Sequence, residues 1–157
     1  MSDFQRPLAE RFFEDYVPGI DVRYGHEIVD EEGVLRFAGE SDPQWIHTDP
    51  DASESGPFMG LIASGWHTAA IMMRVVVTHY LNPDASLASP GVDELRWVQP
   101  VRPGDVLSAR FEVLEARPSQ SKPDRGIVRT RITVLNQDDQ PVMKMIAMNI
   151  IRRRPRD

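Results

Sequence analysis

The chain has 157 residues, 41% of them hydrophobic and 27% charged, with a net charge of −6, which are the proportions of one soluble globular domain able to bury its own core. The acidic balance argues against nucleic acid as a partner. No apolar run nears the ~18 residues that a membrane span needs, and Met1 to Glu10 lacks the charged-then-apolar pattern of a secretory signal.

The absence of cysteine excludes disulfides, thiolate ligands and cysteine nucleophiles, and fits a cytoplasmic protein. Charge is unevenly spread. Residues 1–60 hold 4 Lys and Arg against 14 Asp and Glu, whereas residues 61–157 hold 14 against 10. The later half therefore offers either a solvated cationic face or cations for an anionic ligand such as a nucleotide-tailed thioester. The run Arg152-Arg153-Arg154-Pro155-Arg156 reads as a frayed basic tail. The whole of 1–157 is taken as one domain, with its core at about 13–152 and the tail at 153–157.

In chain order, Pro7 to Tyr16 is expected as a short helix or turn. Ile20 to Val29 is a first strand, ended by Asp30-Glu31-Glu32-Gly33, and Val34 to Gly39 is a short helix or turn. Pro50 to Pro57 reads as a loop and a candidate flap. Ala63 to Leu81 is the long helix; it is apolar around nearly all its circumference, so it should be buried, and Asn82-Pro83 stops it. Strands follow at Val92–Val98, Val106–Glu115, Gly126–Leu135 and Val142–Ile151, with a hairpin at residues 136–140. Val142–Ile151 is apolar on both faces and should be a central strand. The class is α+β: one buried helix wrapped by an antiparallel sheet of four or more strands. Such a sheet keeps edges and a flank that a second copy would cover, so a two-fold homodimer is expected.

The chemistry concentrates at Ser41 to Asp49. Asp42 and His47 stand five positions apart, and Pro43 disfavours a continuous helix between them. A carboxylate beside an imidazole can hold and activate water, for addition to an activated double bond or for hydrolysis. Asp42 as a turn cap and His47 as a half-buried histidine is the competing reading. Gly65 opens the long helix, where its N–H can receive a thioester oxygen; tight helix–sheet packing would equally demand glycine. Ser64 is a helix cap or a substrate contact. Trp45 and Trp66 flank the two segments and could wall an acyl pocket, or simply pack. His67 and His79, on the helix, are read as core or surface histidines, and His26 lies in a strand with no ligand partner in view. No metal-ligand spacing is present. There is no phosphate-cradling glycine loop, and only the second half of a Gly-x-Ser-x-Gly elbow.

Three segments carry a resemblance. Asp42-Pro43-Gln44-Trp45-Ile46-His47-Thr48-Asp49 resembles the hydratase motif of MaoC-like dehydratases and (R)-specific enoyl-CoA hydratases, Asp-x-Asn-Pro-hydrophobic-His-x-Asp. Ile62-Ala63-Ser64-Gly65 resembles the opening of their central helix, and Pro100-Val101-Arg102-Pro103-Gly104-Asp105 resembles their Pro-Val-x-Pro-Gly-Asp turn. Gln44 stands where the family has Asn, Trp45 where it has Pro, and Ser64 where it commonly has His.

The resemblance implies a hot-dog fold assembled as dimers, or higher oligomers of dimers. It also implies reversible hydration of a trans-2-enoyl thioester to a 3-hydroxyacyl thioester, the (R) isomer by family expectation. Asp42 and His47 would activate water and Gly65 N–H would polarise the thioester carbonyl. Gln44, Trp45, Ser64 and Trp66 are the candidate substrate-binding residues. No metal or redox cofactor is implied. Coenzyme A or a carrier protein would be part of the substrate, with neither nucleic acid nor a membrane as partner. Two other readings stand beside it: a non-catalytic acyl-thioester-binding subunit, and a hot-dog thioesterase. The latter is disfavoured because Ala63 to Thr78 holds no Asp or Glu.

Overall fold

A computed structural model describes residues 3–156. Two short 3₁₀ turns, Leu8–Glu10 and Phe13–Asp15, lead into strand β1 (Asp21–Ile28). Helices α1 (Glu31–Ser41), α2 (Trp45–Thr48), α3 (Pro50–Glu54) and α4 (Gly65–Val75) follow, and a π-helical turn, Val76–Tyr80, extends α4. Strands β2 (Ser86–Trp97), β3 (Val106–Pro118), β4 (Arg125–Leu135) and β5 (Pro141–Arg152) complete the chain. The five strands form one antiparallel sheet in the order β1-β3-β4-β5-β2. The apolar face of this sheet packs around α4 and its π turn, with Phe111, Leu107, Val128, Val134 and Met143 meeting Met72, Val75 and Tyr80. This is the helix-in-sheet arrangement expected of a hot-dog fold, and β5 is an interior strand as its two apolar faces require. No helix among the described residues is long and apolar enough to cross a membrane.

Several boundaries differ from the sequence expectation, each for a local reason. Asp30 begins α1 rather than ending β1, because its Oδ1 accepts the Gly33 N–H at 2.7 Å, a helix cap. Residues 50–54 are helical rather than loop: Pro50 sits at the first position, and Asp49 Oδ1 accepts the Ala52 N–H at 3.0 Å. The long helix starts at Gly65, not Ala63, and loses α geometry at Val76. The Val75-Val76-Val77 run is poor α-helix material, and the wider π turn carries the chain on to Tyr80. Tyr80 is anchored there by stacking on Phe111 (4.4 Å between centroids) and by a 2.6 Å hydrogen bond with Thr130 Oγ1.

The helix is also less covered than its composition implies. Trp66, Met73 and Val77, spaced along one face, are 57%, 46% and 42% exposed. On the opposite side α4 approaches β1 closely. A Cβ at Gly25, which has φ +94° beside a bulge, would lie 2.9 Å from Val75 Cγ2.

The basic end is held rather than frayed over its first residues. Arg153 Nε donates to Glu14 at 3.0 Å and Arg154 to Asp15 at 2.6 Å. These bonds tie residues after β5 to the amino-terminal turns.

Candidate active site

Asp42 caps the end of α1, its N–H donating to Ala38 O at 2.9 Å. Pro43 prevents the helix from continuing, and the chain restarts as the single turn α2, in which His47 N–H donates to Gln44 O at 2.8 Å. The break swings His47 back toward Asp42, leaving Nε2 3.5 Å from Asp42 Oδ2. Extended residues 61–64 run alongside: Ile62 N–H donates to Ile46 O and Ala63 N–H to Val101 O. They bring two groups to the pair. Ile62 O lies 2.8 Å from His47 Nδ1, and Ser64 Oγ donates to Asp42 Oδ2 at 2.6 Å.

These contacts set the protonation of the pair. A carbonyl oxygen only accepts, so the proton of the neutral imidazole sits on Nδ1, and the Nε2 lone pair faces Asp42. Asp42 Oδ1 accepts from Gln44 Nε2 at 2.7 Å. The Ser64 hydrogen bond first, and the Gln44 bond second, hold the Asp42 carboxyl below its ordinary 3.8. Asp42 is therefore a carboxylate at neutral pH. The His47 side chain is 7% exposed and that of Asp42 18%. An acceptor nitrogen and a carboxylate oxygen 3.5 Å apart do not bond each other, and together they can hold one water between them.

Ser64 is wholly buried and has both of its anticipated duties in part: it caps α4 by accepting the Trp66 N–H at 3.2 Å, and it donates to Asp42. The Gly65 N–H, at the first position of α4, has no intrahelical acceptor. Gly65 also has a packing duty. A Cβ there would fall 2.4–2.6 Å from the Trp97 indole, whose Nε1 donates to Gly65 O at 2.9 Å.

A cavity of about 360 Å³ opens beside the pair, with His47, Gly65 and Thr68 on one side and Phe58, Trp97 and Val98 among its apolar lining. Neither Trp45 nor Trp66 lines it. Trp45, 49% exposed, covers Gly56; Trp66 meets Trp97 edge-on at 5.0 Å. Gln44 acts on Asp42 rather than on the cavity. His67 lies elsewhere, stacked on Phe37 at 4.9 Å. Among the described residues no three His, Asp or Glu side chains are placed to hold a metal ion.

Phe58, Trp97 and Val98 are absent from the sequence-level candidates. Strict alternation from Val92 would send Trp97 outward. A bulge between Asp93 and Arg96, with Glu94 at φ +54°, reverses the phase so that Leu95 and Trp97 face inward. Phe58 is fixed by the Pro-Val-x-Pro-Gly-Asp turn: Arg102 Nη2 donates to Phe58 O at 2.6 Å, while the turn closes through Arg102 N–H to Asp105 Oδ2 at 2.8 Å. The turn was legible; the aromatic residue it holds over the cavity was not.

The chain is similar to several known proteins. The MaoC like domain model matches residues 16–136. The crystal structure of a MaoC-like dehydratase from Rhodospirillum rubrum superposes with a TM-score of 0.86 at 41% identity, over 93% of this chain and 99% of that one. An uncharacterized Bacillus subtilis protein, YdeM, is 31% identical over 80% of this chain and 87% of its own length. A 3-hydroxybutyryl-CoA dehydratase of Methylorubrum extorquens is 29% identical over 73% of this chain and 71% of its own. With the family model matching most of its length, the chain belongs to the MaoC-like domain family.

Proposed function

We propose that this protein is a hydro-lyase acting on acyl thioesters, adding water reversibly across a trans-2-enoyl thioester to give a 3-hydroxyacyl thioester. The observation that carries this reading is the Asp42 carboxylate facing a free His47 Nε2 at 3.5 Å, beside an apolar cavity and the first turn of α4. The Methylorubrum relative, named a 3-hydroxybutyryl-CoA dehydratase, supports the same class of reaction.

In this reading a water is held by Asp42 and His47 Nε2. As its oxygen bonds to C3, its O–H bond breaks toward the pair, and that proton is returned to C2. The double bond becomes a single bond, with H on C2 and OH on C3. Enolate charge develops on the thioester oxygen in between, and the role assigned to the N–H of Gly65, at the positive end of α4, is to receive it. Ser64 and Gln44 keep Asp42 ionised and fix its orientation.

The test is a panel of enoyl-CoA esters of increasing chain length, followed by loss of the conjugated absorbance. Asp42→Asn should lower turnover by on the order of 10²–10⁴ while leaving the fold intact. Unchanged turnover in that variant would remove Asp42 from the reaction.

We also assign the assembly as a homodimer. The Trp66, Met73 and Val77 strip and the free edges of β1 and β2 are the surfaces a second copy would cover. A sedimentation mass of one chain would overturn this.

A further inference from the structure

Among the described residues two threonines are buried, Thr68 at 2% exposure and Thr130 at 0%. Thr130 is paired, its Oγ1 bonded to the Tyr80 hydroxyl at 2.6 Å. Thr68 Oγ1 makes no hydrogen bond among the described residues. A helical threonine ordinarily has an acceptor at hand, the carbonyl three or four residues back. Thr48 uses it, donating to Gln44 O at 3.1 Å. At Thr68 the corresponding oxygen, Ser64 O, is already taken by the N–H groups of His67 at 3.0 Å and of Thr68 itself at 3.1 Å.

A buried hydroxyl without a partner lowers stability. Valine would fill the same space without that loss, so packing does not account for the threonine. Nor is the hydroxyl sealed in: His67 Nδ1 is the one described side-chain polar atom that is enclosed and unbonded. Thr68 lines the reaction cavity beside His47 and Gly65, and the little surface it keeps opens there.

The donors on the first turn of α4 can be placed in turn. Trp66 N–H goes to Ser64 Oγ at 3.2 Å, and the N–H groups of His67 and Thr68 go to Ser64 O. The Gly65 N–H and the Thr68 hydroxyl are left, three positions apart. Helix side chains lean toward the amino end, so Thr68 lies over the turn that Gly65 begins. Residues three apart on a helix are neighbours at ~5–6 Å. One oxygen between two such donors lies within the ~2.7–3.1 Å reach of both.

We propose that Thr68 is a further catalytic residue, whose hydroxyl donates, beside the Gly65 N–H, to the thioester oxygen. The inference rests on the hydro-lyase reading above and adds a second donor to its oxyanion site. Thr68 keeps its proton throughout. Its hydrogen bond tightens as negative charge collects on the oxygen during bond formation at C3, and relaxes when C2 takes up its proton. Donors fixed before the reaction stabilise that charge without rearranging.

The test uses Thr68→Val, which keeps the shape and loses the donor, and Thr68→Ser, which restores it. Two readouts are taken. One is steady-state hydration of crotonyl-CoA. The other is the carbonyl stretching frequency of bound butanoyl-CoA, isotope-labelled at the thioester carbon, a saturated ester that cannot be hydrated. Thr68→Val should lower kcat by on the order of 10²-fold with KM little changed. Thr68→Ser should recover most of it, and the thermal midpoint of Thr68→Val should hold or rise. The labelled carbonyl should absorb at lower frequency on wild type than in solution, and move back up on Thr68→Val.

The same carbonyl frequency on wild type and Thr68→Val overturns the proposal; hydration by wild type would then leave the hydro-lyase reading standing without it. A loss of kcat that Thr68→Ser does not restore, with a lowered thermal midpoint, makes Thr68 structural and also overturns it. If wild type hydrates no enoyl ester yet the frequency shift is present and needs the Thr68 hydroxyl, the hydro-lyase reading fails and the contact to the thioester oxygen stands.

Discussion

Charge is handled in opposite ways on the inner and outer sides of the sheet near the end of β2. In the reactive corner each carboxyl oxygen of Asp42 has a donor, Gln44 on Oδ1 and Ser64 on Oδ2, and the acceptor nitrogen of His47 stands 3.5 Å away. On the outer face Lys144 and Arg96 stand opposite each other, and neither makes an ion pair among the described residues. A group that must be ionised and aimed is worth surrounding, since its hydrogen bonds set both its pKa and its direction. Exposed cations are solvated by water and need no partner, whereas a largely buried carboxylate does.

The contrast can be broken from either side. The largest stability effect is expected at Gly65→Ala, where the new Cβ would meet the Trp97 indole at 2.4 Å. Overpacking of this kind costs typically 1–3 kcal/mol. Chemical denaturation should show it, and Trp97→Phe in the same chain should recover part of the loss; full stability in the single variant would mean that Trp97 yields easily.

Next is Ser64→Ala, which removes a helix cap worth about 1 kcal/mol and one of two donors to Asp42. Those donors favour the charged carboxylate, so its pKa lies below 3.8 and activity that needs the carboxylate falls only as pH drops through that lowered value. Without Ser64 the pKa rises toward its ordinary value, and the acid limb of the pH–rate profile should move to higher pH. A limb that stays in place would separate Asp42's ionisation from Ser64.

The smallest effect is on the outer face. Lys144→Ala removes a like-charge cross-strand pair and should leave stability unchanged or raise it by a few tenths of a kcal/mol. A clear loss of stability would show that Lys144 has a structural partner and blunt the contrast.

How much of this was legible varies residue by residue. Asp42, His47 and Gly65 stood out because local chemistry marks them: a proline that forbids a continuous helix and a glycine at a helix entry. Ser64 was readable as a cap, and the structure adds that the same hydroxyl reaches Asp42 from 22 positions away. Trp97 was not among the candidates, and alternation could not have found it, since a one-residue bulge at Glu94 reverses every face after it. Trp45 and Trp66 drew notice as neighbours in sequence of the motif residues, yet Phe58, held by Arg102 from a distant turn, and Trp97 are the aromatic residues that line the cavity.

The sequence by itself determined what is periodic or local: an α+β chain, a largely apolar central helix, an apolar interior strand at Val142–Ile151, and an acid and a base five residues apart. Hydrophobic period and turn chemistry act over a few residues and leave their mark there. Only the tertiary structure decided which oxygen of Asp42 meets Ser64, which tautomer Ile62 imposes on His47, and which face of β2 carries Trp97 and which Arg96. Each of those depends on strand register or on a contact between residues far apart in the chain, where a shift of one position changes the partner while the local pattern stays the same.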